Sequence, residues 1–209
     1  MAWLARRNVH DSGVVVGTAF QTMLVTAGAV GAPGVLMLPL QKEFGWQTAE
    51  ISSALGVRFM LFGLMAPFAA ALLNRYGLRN VTLAAQLIVV SALVLSLGMT
   101  EVWQLVALWG VVIGIGTGMT ALVLGATIAT RWFAARRGLV VGIMTASVAT
   151  GQLVFLPLLA SLTERFGWRL ALGFVCIMLG VSALAVLLAR PVRPGDLGLA
   201  PFGAAGRGP

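Results

Sequence analysis

The sequence is short of charge, and this shortage limits the kinds of protein it can encode. Asp, Glu, Lys and Arg make up 10% of its 209 residues, whereas a soluble domain carries about 25%. With 59% hydrophobic residues, the chain cannot cover a globule with polar side chains, so most of its surface must face lipid. A water-soluble fold is excluded, and we predict an integral membrane protein.

The side chains that catalysis and metal binding require are also scarce. The chain has one histidine, His10, and one cysteine, Cys176, which lies in an apolar run and can form no intrachain disulfide. Paired carboxylates, a metal-ligand cluster and a phosphate-binding loop are missing. We therefore expect that the chain is not an enzyme, binds no cofactor or metal and does not itself hydrolyse ATP.

Long uncharged runs are what the sequence has instead. They cover residues 12–41, 59–74, 80–100, 102–130, 138–163 and 170–189. A helix crosses a bilayer with roughly 20 apolar residues, and the 59–74 run reaches that length if its helix starts near Ile51 and includes Arg58. The runs lack the alternation of a β-barrel strand. We predict an all-α integral membrane protein with six transmembrane helices, at 14–40, 51–73, 81–100, 103–129, 138–162 and 169–189.

The predicted spans form one bundle over residues 1–189, because the loops between them are short. Residues 190–209 are rich in Pro, Gly and Arg and predict a cytoplasmic tail or the start of a linker. Basic residues occupy alternate segments, ten on one side against three on the other: Arg6, Arg7, Arg75, Arg79, Arg131, Arg136, Arg137, Arg190, Arg193 and Arg207 against Lys42, Arg165 and Arg169. The positive-inside rule therefore places both termini in the cytoplasm. We attribute the net charge to topology and anionic lipid, and expect no nucleic-acid partner.

The stretch A-A-L-L-N-R-Y-G-L-R, residues 70–79, joins the second and third predicted spans. It resembles the signature loop of the major facilitator superfamily, Gly-x-x-x-Asp-Arg-x-Gly-Arg-Arg. Arg75, Gly77 and Arg79 match that pattern, while Asn74 replaces the acidic residue and two other positions also differ. Gly77 permits the turn that ends a helix, and the two arginines are expected near the carbonyl-rich end of span two.

A second stretch, R-W-F-A-A-R-R-G-L-V-V-G-I at residues 131–143, contains Arg136 and Arg137. With A-P-G-V at 32–35, E-F-G-W at 43–46 and D-L-G-L-A-P-F-G at 196–203, it resembles bacterial relatives of the monocarboxylate and oxalate/formate transporters. The resemblance assigns gating or signature-loop roles to Asn74, Arg75, Gly77, Arg79, Arg136 and Arg137.

The resemblance also implies a fold and a function. The fold is the N-terminal six-helix half of a twelve-span transporter, built from two inverted three-helix repeats. The function is secondary transport of a small organic anion across a bacterial inner membrane, with a monocarboxylate as the first candidate substrate. The expected partner is a second six-helix unit, which is a copy of this chain, a separate chain or a missing C-terminal half. The tripeptide F-G-W recurs at 44–46 and 166–168, after spans that are not repeat mates, and we interpret the recurrence as coincidence.

Arg58 is the charged residue that lies clearly inside a predicted span. It is about seven residues from the outer end, so roughly 10 Å deep, where an arginine costs about 2.5–3.5 kcal/mol on insertion scales. One interpretation is snorkelling to the headgroups or structural pairing. The other is an inward contact with an anion. Relatives often carry an arginine before Ala-Pro-Gly in span one, where this chain has Val30, so we hypothesise that Arg58 supplies the missing charge.

Other polar residues lie near mid-membrane in spans one, four and five, which line the transport path in the superfamily. Together with Arg58, they form the predicted substrate site: Gln21, Thr26, Thr120, Thr150 and Gln152. For the threonines the alternative is hydrogen bonding between helices or to carbonyls of their own helix. A helix bend is predicted where span one contains Gly31, Pro33 and Gly34. It is either a gating point or a packing feature.

Two other functions remain open at this stage. One is a truncated, non-transporting six-helix remnant. The other is the permease subunit of an ATP-driven importer, which needs a cytoplasmic coupling helix, and the longest internal cytoplasmic loop, about eight residues by the predicted spans, is too short to form one.

The predicted orientation can be tested with epitope tags. On spheroplasts, whose outer membrane is opened, a tag at either terminus should not be labelled by antibody. It should be labelled after the inner membrane is permeabilised, because both termini are expected in the cytoplasm. A tag inserted after Glu101, in a predicted outer loop, is the control that should be labelled on intact spheroplasts. Labelling of either terminus on intact spheroplasts would contradict the orientation.

Overall fold

The structure, a computed structural model, describes residues 2–120 and 137–188 as a bundle of long helices. They are α1 (Ala2–Phe44), α2 (Thr48–Tyr76), α3 (Leu78–Ser96), α4 (Val102–Thr120), α5 (Arg137–Phe166) and α6 (Trp168–Leu188). Each of the six contains a segment long and apolar enough to cross a membrane, and the described residues contain no strand. The prediction of an all-α protein with six transmembrane helices is confirmed.

Helices α1, α2 and α5 extend at both ends beyond the apolar runs that predicted them. Helix α1 begins at Ala2 rather than near residue 14, and α2 runs on to Tyr76. Helix α3 ends earlier than predicted, at Ser96, and a turn follows before α4. Apolar length sets the part of a helix that lies in lipid, whereas backbone hydrogen bonding continues beyond it until a residue ends the helix.

Glycines make the tight turns between consecutive helices. Gly77 separates α2 from α3 with a φ of 82°, and its N–H donates to the carbonyl of Leu73. Gly167 separates α5 from α6 in the same way, with a φ of 87°. Because a side chain is unfavourable at such φ values, these two positions explain why helices run almost without interruption from one span into the next.

The six helices pack in a symmetric pattern. Helix α1 packs on α5 and α6, α4 packs on α2 and α3, and α3 meets α6. If α1, α2 and α3 are exchanged in order with α4, α5 and α6, the contacts of α1 become the contacts of α4, and the contact between α3 and α6 becomes itself. This is the arrangement that two inverted three-helix repeats produce, and it agrees with the predicted half-transporter fold.

Helix α4 contains a π-helical segment, Val106–Val112, in which the N–H of Ile113 bonds to the carbonyl of Leu108, five residues back. Such wide turns are rare and are often found at functional sites. Trp109 lies in this segment and is buried, and its indole Nε1 has no hydrogen-bond partner among the described residues.

Helices α2 and α4 approach each other through glycines of α4. A Cβ at Gly110 would lie 3.1 Å from the carbonyl oxygen of Ala54, and one at Gly114 would lie 3.1 Å from the carbonyl oxygen of Arg58. At Gly118 the nearest atom would be the Cβ of Met65, at 2.8 Å. The two backbones are therefore as close as glycine allows, and small residues of this kind hold membrane helices together.

Substituting Gly114 by alanine should destabilise the bundle. The added Cβ meets the backbone of α2, which cannot move aside like a flexible side chain, so we expect a loss of about 1–3 kcal/mol in unfolding free energy. Gly142→Ala is the matched control, because nothing lies within 4 Å of its added Cβ, and it should be neutral or slightly stabilising. Denaturant titration in detergent measures both variants, and an equal effect of the two would contradict the close contact.

Candidate functional site

Arg58 of α2 is buried inside the bundle, with 2% of its surface exposed. Its Nη2 donates a hydrogen bond to the backbone carbonyl of Ala29 in α1, at 3.3 Å. An arginine this buried does not reach the headgroups, so the structure does not show snorkelling. Arg58 pairs instead with a neighbouring helix, α1, which is the structural pairing that the sequence analysis gave beside snorkelling.

The carbonyl of Ala29 is available because of the sequence of α1. In a regular helix it would accept from the N–H four residues later, but that residue is Pro33, which has no N–H. The side chain of Arg58 thus supplies a donor that the helix itself lacks. The structure brings together two features that the sequence presents separately, the charge of span two and the proline of span one.

The predicted bend segment remains helical. Helix α1 is continuous from Ala2 to Phe44, and Pro33 lies inside it. Gly31 faces α5, where an added Cβ would lie 2.9 Å from Cδ2 of Leu156, whereas Gly34 is exposed with nothing within 4 Å. Gly31 therefore allows close packing of α1 on α5, and Pro33 removes one hydrogen bond from a helix that otherwise continues; a bend there stays a prediction.

The predicted polar residues are not hydrogen-bonded to Arg58. In the described part of the chain, no hydrogen bond joins Arg58 to Gln21, Thr26, Thr120, Thr150 or Gln152. Thr120 is buried and donates to carbonyls of its own helix, those of Gly116 and Thr117. Thr150 is exposed on α5, and Gln152 and Gln21 are half-buried.

A buried polar cluster lies between α1, α3 and α6 instead. Nε2 of Gln86 donates to Oγ of Ser182 at 2.8 Å, and this Oγ lies 3.3 Å from Oγ1 of Thr22. Oε1 of Gln86 has no partner among the described residues, and neither has Oγ1 of Thr26, one turn along α1 from Thr22. Buried polar contacts of this kind fix how membrane helices meet.

The sequence interpretation missed Gln86 and Ser182, because it considered polar residues only in the spans expected to line a transport path. A search of every span for Gln, Asn and Ser would have found both. The cluster also shows that Thr22 faces α6, so this side of α1 is turned towards its own bundle.

The signature loop is held to the far end of the bundle by Arg79. Its Nη2 donates to the carbonyl of Leu187 at 2.6 Å, next to the last residue of α6. The sequence placed this arginine near the end of α2, and the structure shows that it caps α6 instead. Arg75 and Asn74 are exposed, and the guanidinium of Arg75 lies 5.4 Å from the ring centroid of Tyr76.

Two predicted gating residues fall at the edge of what the structure describes. Arg136 lies outside the described residues, and Arg137 is the first residue of α5. Their part in gating stays a prediction. The described residues hold no group of three or more His, Cys, Asp or Glu side chains that could bind a metal ion.

The two F-G-W stretches meet at the other end of the bundle. Phe44 stacks on Trp46 with ring centroids 4.5 Å apart, and Phe44 also meets the edge of Trp168 at 6.1 Å. The sequence interpretation took the recurrence as coincidence, because spans one and five are not repeat mates, and this contact does not test that interpretation. Phe44, Trp46 and Trp168 form one aromatic cluster at this end of the bundle.

Glu43 joins this cluster to α6. One carboxylate oxygen accepts from the indole N–H of Trp168, and the other pairs with Nη1 of Arg169 at 2.6 Å. The guanidinium of Arg169 also lies 4.5 Å from the Trp168 ring centroid, and its Nε donates to the carbonyl of Leu97 after α3. The ion pair is exposed and contributes at most about 1 kcal/mol, but it ties the ends of three helices together.

Comparisons with known proteins agree with this architecture. A family model described as Major Facilitator Superfamily matches residues 18–207. Monocarboxylate transporter 7 of Homo sapiens is 28% identical over 188 residues, and Monocarboxylate transporter 9 of Mus musculus is 31% identical over 194 residues; each alignment covers 88% of this chain and 36% of the relative. MFS-type transporter hasB of Aspergillus fumigatus is 30% identical over 172 residues, which is 79% of this chain and 37% of that protein.

The chain thus spans 36–37% of the length of these animal and fungal relatives. The family match covers nearly the whole chain. It agrees with the six apolar helices, with their inverted-repeat packing and with the arginines on either side of the turn after α2. The chain is a multi-pass membrane protein, and it belongs to the Major Facilitator Superfamily.

Proposed function

We propose that this chain is one six-helix half of a secondary transporter that moves a small organic anion, a monocarboxylate first, by alternating access. The observation that carries the proposal is the buried guanidinium of Arg58. Its one hydrogen-bond acceptor in the described part of the chain is the carbonyl of Ala29, so its positive charge has no carboxylate partner there. A carboxylate substrate would provide the missing negative charge.

The names of the relatives support this substrate class. Two of the matched proteins are named monocarboxylate transporters. Their identities, 28% and 31%, accompany a shared fold and do not by themselves carry a substrate from one protein to another. The charge of Arg58 adds an independent reason for an anion, because an ionisable residue inside a membrane is costly and is usually kept for function.

The exposed faces of the helices support a second six-helix unit as partner. The exposed residues of α3 and α6 are mostly large aliphatic ones: Leu87, Val94, Leu95, Leu170, Ile177, Val181, Leu184, Leu187 and Leu188. Helices α2 and α5 are the least buried of the six. They expose large residues such as Phe59, Met60 and Leu153 and, beside them, more small residues than α3 and α6 do: Ser52, Ser53, Gly56, Gly63, Gly142, Thr145, Ala146, Ala149 and Thr150. Small residues favour contact between helices, whereas large aliphatic residues suit lipid.

The proposed working arrangement follows from this difference. Helices α2 and α5 face the second unit, α3 and α6 face the bilayer, and the substrate passes between the two units beside α1 and α4. The second unit is a copy of this chain, a separate chain or a C-terminal half. Both termini lie in the cytoplasm, as the distribution of arginines implies, and the membrane is a bacterial inner membrane, as the sequence motifs imply.

Substitution of Arg58 tests the anion site. In proteoliposomes containing the chain with its second unit, Arg58→Ala should lower uptake of labelled lactate, formate or oxalate at least about tenfold, because a hydrogen bond to a charged group contributes about 1.5–3 kcal/mol. Arg58→Lys keeps the charge but loses the planar fork of donors, so uptake should fall only partly, by roughly fivefold.

Arg165→Ala is the control, since this arginine is exposed at the end of α5. It should leave uptake unchanged. Size-exclusion chromatography and thermal unfolding of each variant separate a transport defect from a folding defect. Unchanged uptake in a folded Arg58→Ala variant would rule out Arg58 as the anion contact.

A further inference from the structure

We propose that Arg58 is the latch of a proline hinge in α1, and that a substrate carboxylate opens the hinge by taking the hydrogen bond that Arg58 gives to Ala29. The latch itself stands on contacts within this chain. The action of the carboxylate rests on the proposed function. The two parts are therefore tested separately.

The hinge arises from a break in the hydrogen bonding of α1. Pro33 removes the N–H that would bond to Ala29, and its ring crowds the same carbonyl, so a helix bends most easily at this point. Ala29 is 1% exposed, so water does not replace the missing donor. The hydrogen bond from Arg58 does, and it ties α1 to α2 at the place where α1 is weakest.

The other prolines inside helices show that this arrangement is specific. They are Pro39, Pro67 and Pro157. They leave the carbonyls of Val35, Gly63 and Leu153 without their usual helical donor. In the described part of the chain no side chain donates to any of these three carbonyls, and none of the three residues is buried. Among these four prolines, the charged donor is found at Pro33, where the carbonyl without a helical donor is buried.

The hydrogen bond of the latch is one that a carboxylate can displace. At 3.3 Å it is longer than the usual 2.7–3.2 Å of an N–H···O bond, and its acceptor is neutral. A carboxylate accepts from guanidinium at both oxygens, and such charge-assisted bonds are about twice as strong as bonds between neutral groups. An arriving anion therefore competes well for Arg58, whereas the Ala29 carbonyl loses its donor.

Release of Ala29 would affect the part of α1 beyond Pro33. This part exposes Gly34 and Leu38, but it also buries Leu36 and Leu40. Its end is tied to α6 by Glu43, so a bend at Pro33 shifts the packing of this segment against α6. The earlier part of α1 is held by the packing of Gly28 against Phe155 and by the contact of Thr22 with Ser182. Binding of the anion is thereby linked to bending of the outer end of α1 and not to movement of the whole helix.

Hydrogen exchange of backbone amides in lipid nanodiscs tests the latch. Exchange is read on peptides that cover residues 30–40 in the wild type, Arg58→Met, Pro33→Ala and the double variant. Arg58→Met should speed exchange there roughly fivefold or more, because the hinge loses its donor. In the Pro33→Ala background the same change should have less than about a twofold effect, because the N–H restored at position 33 occupies the Ala29 carbonyl.

Two further variants complete this test. Arg58→Lys retains a donor and should exchange like the wild type, whereas Arg58→Ala lacks a donor and replaces Arg58→Met if that variant does not fold. Pro39→Ala is the matched control on the same helix, and in its background Arg58→Met should keep its full effect. An equal effect of Arg58→Met with and without Pro33 would overturn the latch.

Sodium lactate tests the action of the anion, with sodium chloride at equal ionic strength as the reference. Lactate should speed exchange in residues 30–40 of the wild type and have no such effect in Pro33→Ala. If lactate is transported but exchange does not change, the link between anion and hinge is overturned while the proposed function stands. If lactate is not transported and does not change exchange, while the effects of the Pro33 and Arg58 substitutions on exchange remain non-additive, the proposed lactate transport is wrong and the latch stands.

Discussion

The interior of a bilayer contains no water to satisfy a free carbonyl or solvate a charge, and the structure depends on this constraint. A buried break in a helical hydrogen-bond pattern is therefore costly unless a donor within the protein reaches it. Arg58 and the carbonyl of Ala29 are two groups that would each be unfavourable alone in the membrane. Their hydrogen bond gives the buried guanidinium an acceptor and gives the carbonyl a donor. The same constraint explains the cluster of Gln86, Ser182 and Thr22, in which side chains from three helices hydrogen-bond through the hydroxyl of Ser182.

Close backbone contact is the second element of the architecture. Since lipid tails are as apolar as leucine, burial of apolar side chains gives membrane helices little reason to associate, and contact between backbones takes over that role. Gly114 brings α4 against the backbone of Arg58 itself, and Gly151 of α5 meets the carbonyl of Leu24 in α1. The two inverted repeats thus use the same device at equivalent interfaces, and the position of Arg58 is set by the backbone of α4 as well as by its own helix.

The number and type of the helices were predictable, because the lack of charge and the length of the apolar runs leave few alternatives. The burial of Arg58 in a span was also predictable. Its partner was not, because a hydrogen bond between α1 and α2 depends on how two helices approach each other. One signal for it was nevertheless present: Pro33 leaves Ala29 without a donor, and an unpaired arginine in the next span is a natural candidate to supply one. Gln86 and Ser182 escaped notice because expectation favoured other spans, and the meeting of the two F-G-W turns required the packing of α1 on α6.

The contact of Arg79 with Leu187 has a consequence for how this protein can vary in length. The carbonyl of Leu187 points at Arg79 only in one helical register of α6. Each residue inserted or deleted between Trp168 and Leu187 would turn that carbonyl by roughly 100° around the helix axis, away from a guanidinium fixed more than a hundred positions earlier in the chain. The register of α6 up to Leu187 is therefore matched to the first turn of α3, in the other half of the sequence.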